Sequence, residues 1–193
     1  MITFLGNNNQ HLYEDLIVKY RKERDIVVSC QYPYLVPESI IKNNLCVNIH
    51  YGILPFYRGM NPIYWQIMNG QTAGTTLHYM DSQFDTGDII SKKCFPIGNM
   101  VAHEVFDQCE KYGVQLLEEF IDSILDGTAP RIKQSSLGDG HYFKRDDIDW
   151  NRDTRIGLDD IVLDDSKLRA SCFRGKQYPR MKINGRYYEL RPV

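Results

Sequence analysis

The chain is predicted to be an α/β protein in which helices flank a mostly parallel, twisted sheet, with a small helix and β-hairpin appended near its C-terminal end. Three observations lead there. From Ile2 to Leu125, short apolar runs alternate with segments of helical periodicity. The runs "DIVVSC" and "NLCVNIH" are apolar almost without interruption, which suits strands covered on both faces. From "SSLGDG" onward the texture changes, and charged, loop-like sequence leads to two alternating segments around Asn184-Gly185.

Taken in order, Ile2 to Leu5 is the first strand, and "GNNN" a turn that can cap the helix expected from His11 to Lys22, whose apolar positions include Leu12, Leu16, Ile17 and Tyr20. Ile26 to Cys30 is the second strand. A short helical piece begins near Pro37, and "NLCVNIH" is the third strand. Asn61 to Met68 reads as a helix entered through Pro62 and closed by "NG". "AGTTLHYM" alternates like a strand, with "DIISKKCFPI" as its antiparallel partner. Met100 to Leu125 is the longest helical pattern, stopped by "DG" and Pro130. A second helical stretch spans Leu158 to Cys172, and "RMKINGRYYELRPV" is a hairpin. This order divides the chain into a main part, 1–145, and an appendage, 146–193.

The 193 residues suit one main core. A formal charge of −2, with both signs mixed along the chain, supplies no basic field for nucleic acid. The five cysteines are scattered and form no CxxC pair, so they are expected to be reduced and structural in a cytoplasmic protein without a metal. "MITFLG" is too short for a signal peptide or a membrane span.

The stretch "CVNIHYGILPFYRG" carries the chemistry. In an open sheet the ligand crevice lies beyond the C-terminal strand ends, where Asn48 and His50 would sit. Side chains two apart on a strand share a face. An amide N–H can stabilise a developing oxyanion, and an imidazole can relay a proton, so the pair suits group transfer. Alone, Asn-x-His is more often a turn-capping amide and a satisfied strand-end histidine than a reactive pair.

The wider pattern settles between these. Asn48 and His50 are followed by Leu54 to Gly59, by Pro62 opening a helix, by Gly74 to His78, and by Asp85 to Gly87. This ordered set resembles the signature of the formyltransferases that use 10-formyltetrahydrofolate, over roughly Val28 to Leu125. The resemblance implies a Rossmann-like catalytic domain in residues 1–145 and a catalytic set of Asn48, His50 and Asp85. Asn48 would hold the formyl oxygen, His50 would accept the amine proton or support the oxyanion, and Asp85 would orient His50 or a water. "SCQYPYLVP" matches the segment that walls the pterin pocket with the Asp81 to Asp85 loop, making Tyr32, Tyr34, Leu35, Val36 and Asp81 folate-binding candidates.

Two departures from the family pattern shape the expected substrate. Only Met1 to Val47 precede the Asn-x-His strand, so one or more βα units of the family's N-terminal half are expected to be missing. The short segment after Trp150 looks more like the sugar N-formyltransferases than the tRNA-formylating members. The implied reaction is formylation of a nucleotide-linked, dTDP-type 4-amino-4,6-dideoxy sugar for surface polysaccharide. Tyr178 would stack on the base, Arg174 or Lys176 would meet a phosphate, and Asn7 and Gln31 are further substrate contacts. The alternatives are a purine-type enzyme acting on a small phosphorylated amine and an inactive folate-binding relative. The hairpin, marginal as an isolated two-stranded unit, is expected to be buried in a homodimer or to brace the substrate site.

Overall fold

A five-stranded sheet in the order β1-β2-β3-β5-β6 organises the protein. The computed structural model describes residues 2–6, 11, 26–150, 155–156 and 165–191. The turn carrying Asn7, the expected helix beyond His11 and the beginning of the Leu158 to Cys172 stretch lie outside the described residues.

Strands β1 (Ile2–Gly6), β2 (Ile26–Cys30) and β3 (Leu45–His50) pair in parallel. Every residue of β2 is buried, as its unbroken apolar sequence requires of a strand inside a covered sheet. Strand β5 (Thr72–Tyr79) is antiparallel to β3, and β6 (Ile89–Pro96) is antiparallel to β5. Four strands therefore share one direction and β5 alone is reversed. Between β2 and β3 lies the short helix α1 (Glu38–Asn43), which begins after Pro37, and α2 (Pro62–Asn69) opens on the proline that its start needs least to donate a backbone N–H.

The long helix α3 (Ala102–Leu125) packs across β5, β6 and β3. Its buried residues Val105, Cys109, Leu116, Leu117, Ile121 and Ile124 recur at helical spacing and join Val47, Ile49, Leu77 and Tyr79 in one core. Thr75 donates its hydroxyl to the Cys109 carbonyl at 2.9 Å and pins helix to sheet. All five cysteines are free, and burial pushes the Cys109 thiol up to about 12, so that sulfur is a packing group.

Beyond α3, a two-residue ladder joins β4 (Arg58–Gly59) to β7 (Tyr142–Phe143) in parallel, tying the loop after β3 to the later chain. The helix α4 (Ser166–Ser171) packs against α2, and Ile148 and Ala170 belong to the main core. The hairpin β9 (Arg180–Ile183) and β10 (Arg186–Glu189) turns at Asn184 and Gly185, both with positive φ, the conformation that an Asn-Gly turn supplies. It is not isolated: β8 (Arg155–Ile156) pairs in parallel with β9 and makes a three-stranded sheet, a non-local partner that sequence alternation cannot announce. No helix among the described residues is long and apolar enough to cross a membrane.

Gln66 on α2 fixes the turn that follows β3. Fully buried, it donates to the Tyr51 carbonyl at 3.0 Å and accepts from the amides of Ile53 at 3.2 Å and Gly74 at 3.0 Å. Gln66→Leu preserves volume but removes the donor and the acceptor that together hold these three backbone groups. It is expected to lower the unfolding free energy by about 3 kcal/mol or more, read from urea denaturation.

Candidate active site

The reversal of β5 brings four polar side chains onto one patch of the sheet. In the β3–β5 ladder Asn48 lies opposite His78 and His50 opposite Thr76. Directly opposed residues of an antiparallel pair point to the same face. The neighbouring pairs, Val47 with Tyr79 and Ile49 with Leu77, are core residues, so polar and apolar faces alternate cleanly.

Hydrogen bonds orient each group. His78 is 2 % exposed and donates Nδ1–H to the Tyr79 carbonyl at 2.7 Å, which leaves Nε2 to accept from Asn48 Nδ2 at 3.1 Å. The Asn48 amide also donates to Asp85 Oδ1 at 3.2 Å. His50 donates Nε2–H to the Tyr57 carbonyl at 2.6 Å, so its lone pair sits on Nδ1, 3.5 Å from Asp85 Oδ1. Gly52 makes that bond possible, because a Cβ there would stand 2.7 Å from His50 Nε2 and 2.9 Å from the Tyr57 carbonyl oxygen. Thr76 closes the group by donating to the Gly52 carbonyl at 2.6 Å and accepting from the Leu54 amide.

Asp85 comes from the loop between β5 and β6 and stands in the middle. Its side chain is 10 % exposed, its Oδ2 accepts the Gly59 amide at 2.8 Å, and its backbone takes a left-handed φ of 56°. Burial opposes its charge, but the His50 and His78 rings and the Gly59 amide outweigh burial and hold the carboxyl well below the usual carboxylate range. Asp85 is therefore ionised around neutrality, a fixed negative charge beside two imidazoles.

Asn48, His50, His78 and Asp85 form the floor of a cleft of about 370 Å³. One wall carries Gln31, Tyr32, Tyr34, Leu35, Val36 and Asp81, all singled out from sequence. Tyr34 and Leu35 are 69 % and 50 % exposed, whereas Val36 is buried. Asp81 accepts from Thr86 Oγ1 at 2.6 Å and from the Gln83 amide at 3.0 Å, which shapes the loop leading to Asp85. The other wall is built by Phe106, Trp150, Phe173, Lys176 and Gln177. Of the expected C-terminal contacts only Lys176 lies on this wall, its ammonium 4.9 Å from the Phe173 ring centre. Arg174 is exposed and off the wall, while Tyr178 accepts from the Gly175 amide and stacks under Arg191. Among the described residues, no group of three or more His, Cys, Asp or Glu side chains is arranged to hold a metal ion.

Sequence reasoning passed over His78, Phe106, Trp150, Phe173 and Gln134. His78 stood in the Gly74 to His78 motif, and only the strand register puts it on Asn48. The aromatic wall had no signal at all, since its members are far apart in the chain and each reads as core.

The carboxylate makes a testable contribution to stability. A depressed folded-state pKa favours the native state at pH values above the ordinary 3.8 of the unfolded chain, and that favour disappears as pH falls through the lowered native value. Asp85→Asn is expected to be less stable than the native protein at pH 7, with the gap shrinking below about pH 4 in urea denaturation series.

Comparisons with known proteins bear on the family and the fold. The profile of the formyl transferase family matches residues 6–119, more than half of the chain. Methionyl-tRNA formyltransferase from Geobacter sulfurreducens is 34% identical over 137 residues, which are 67% of this chain and 43% of that protein. The chain thus spans less than half the length of such curated relatives. Among solved structures, a 4-N formyltransferase from Francisella tularensis superimposes with a TM-score of 0.76 at 25% identity, covering 98% of this chain and 84% of that one. An N-formyltransferase from Helicobacter canadensis, in complex with folinic acid and dTDP-3-aminofucose, gives a TM-score of 0.69 at 28% identity over 88% of this chain and 62% of that one. The protein belongs to the formyl transferase family.

Proposed function

We propose that the protein transfers a formyl group from 10-formyltetrahydrofolate to the amine of a nucleotide-linked amino sugar, with residues 1–145 as the catalytic part. The observation that carries this reading is the convergence of Asn48, His50 and Asp85 on the floor of one two-walled cleft. The folate would lie on the wall of Tyr32, Tyr34, Leu35, Val36 and Asp81. A flat ring with an amide edge needs apolar flanks and backbone hydrogen bonds, and exposed Tyr34 and Leu35 beside an irregular loop offer both.

In this reading the substrate amine attacks the formyl carbon, and no side chain of the protein is acylated. The Asn48 N–H that rests on Asp85 at 3.2 Å turns to the formyl oxygen and stabilises its developing charge. The bond from Asn48 to His78 keeps the amide facing the cleft meanwhile. His50 Nδ1 takes the amine proton, the resulting imidazolium lies between the Asp85 carboxylate and the Tyr57 carbonyl, and the proton passes on to the folate nitrogen as its bond to the formyl carbon breaks and tetrahydrofolate leaves.

The acceptor is inferred from the second wall. Aromatic Phe106, Trp150 and Phe173 with Lys176 beside them suit a base and a phosphate, and the formal charge of −2 offers little to a tRNA. The likeness to the Francisella tularensis 4-N formyltransferase runs through 98% of this chain, C-terminal wall included, whereas the Geobacter sulfurreducens likeness covers 67%. The Helicobacter canadensis neighbour binds dTDP-3-aminofucose, which supports a dTDP-linked acceptor for this chain, the expected one being a 4-amino-4,6-dideoxy sugar for surface polysaccharide. The second reading, formylation of methionyl-tRNA, rests on the names of the curated relatives. We also propose a homodimer that covers the β9–β10 hairpin, where Ile183, Tyr187 and Tyr188 are about half exposed.

Assay of dTDP- and UDP-linked amino sugars against methionyl-tRNA, each with 10-formyltetrahydrofolate, is expected to show turnover with a sugar nucleotide only. Formylated tRNA as the sole product would reverse the assignment. In the productive assay Asn48→Ala is expected to lower kcat by about a hundredfold or more with an unchanged circular dichroism spectrum. Light scattering is expected to give twice the chain mass, and a monodisperse monomer would remove the dimer.

A further inference from the structure

We infer that Gln134 is a positioning residue that sets the catalytic carboxylate, an inference resting on the formyl-transfer reading above. Gln134 begins the 3-10 turn Gln134–Ser136, which is stitched under the start of β6 by the reciprocal backbone bonds of Ile89 and Ile132. Its side chain is 4 % exposed and makes three hydrogen bonds. The two Nε2 hydrogens go to the carbonyls of Asp85 at 2.9 Å and Gly87 at 2.8 Å, and Oε1 accepts Arg58 Nε at 2.9 Å.

The geometry makes a closed ring. Arg58 holds Gln134, Gln134 holds the backbone on either side of Thr86, and the Asp85 carboxylate accepts the amide of Gly59, the neighbour of Arg58. Two loops distant in sequence are thereby clamped twice, once through a carboxylate and once through an amide. The clamp is needed because Asp85 has φ +56°, a region that L residues leave readily unless surrounding bonds hold them. Gly87 allows the close approach on the far side of Thr86: a Cβ there would come 1.9 Å from the Tyr79 carbonyl oxygen, so the loop backbone packs directly on β5. Gln134 touches neither the cleft nor the Asp85 carboxylate; it acts through the Asp85 backbone and so on the direction in which the carboxylate faces His50.

Gln134→Glu separates the contacts. It keeps the length of the side chain and its acceptor for Arg58 but removes both donors to the loop. Amide hydrogen exchange tests the clamp whether or not formyl transfer is the activity. Exchange at Gly59 is expected to quicken at least about tenfold, while Met60, bonded to the Phe143 carbonyl, and Ile89, bonded to the Ile132 carbonyl, keep their protection. In the formyltransferase assay kcat is expected to fall about tenfold or more with KM for both substrates within about threefold. Equal acceleration at all three amides, unchanged exchange at Gly59, or a loss confined to KM would overturn the inference. If the new charge prevents folding, Gln134→Met, of similar length and without donors, gives the same readouts. Absence of formyl transfer in the native protein would refute the functional reading, and the exchange data would still decide the clamp.

Discussion

Everything at the site turns on one buried carboxylate. Asp85 accepts from Asn48 and Gly59 and faces both His50 and His78, so four segments of the chain meet at two oxygen atoms. Burying such a charge is costly unless hydrogen bonds compensate it, as those from the Asn48 side chain and the Gly59 amide do here. The same bonds that keep the group ionised also hold it still. Electrostatic stabilisation of a transition state depends on that combination, because dipoles already in place need no reorganisation when charge develops.

The second constraint is the reversed strand. With β5 antiparallel to β3, residues 76 and 78 face residues 50 and 48 one for one, and a ladder of four polar side chains crosses two strands. A one-residue slip of β5 would send Leu77 into the cleft and bury the His78 imidazole in the core. The apolar alternates on both strands forbid the slip, so the hydrophobic core that α3 covers also registers the chemistry.

Most of the sheet was legible because each strand announced itself: β2 matches its expected bounds, β6 was expected as the antiparallel partner of β5, and the Asn-Gly turn lies where its dipeptide demanded. That Asn48 and His50 share a face was legible from their spacing, and the ordered motifs that follow them in the sequence singled the pair out. What eluded the sequence were contacts made by register and by long-range packing. His78 needed the β3–β5 alignment, Gln134 needed a turn threaded under β6, and the short strand β8 needed a partner 25 residues away between Arg155 and Arg180. Tyr178, expected to stack on a base, lies off the cleft lining, where its hydroxyl accepts from the Gly175 amide and Arg191 sits over its ring, contacts that its place in the sequence did not announce.

The two tryptophans of the chain both pack edge-on against Tyr64 but differ in what else they meet. Trp65 stacks on Phe143 with ring centres 4.5 Å apart and serves the packing between α2 and β7. Trp150 packs edge-on against Tyr64 and lines the cleft wall opposite the folate candidates. Intrinsic emission therefore has two sources with separate duties, one reporting whether the fold is intact and one reporting what stands in the cleft. With Trp65 replaced by Phe, the protein becomes an optical sensor of its own occupancy, able to register a ligand that is held but never turned over.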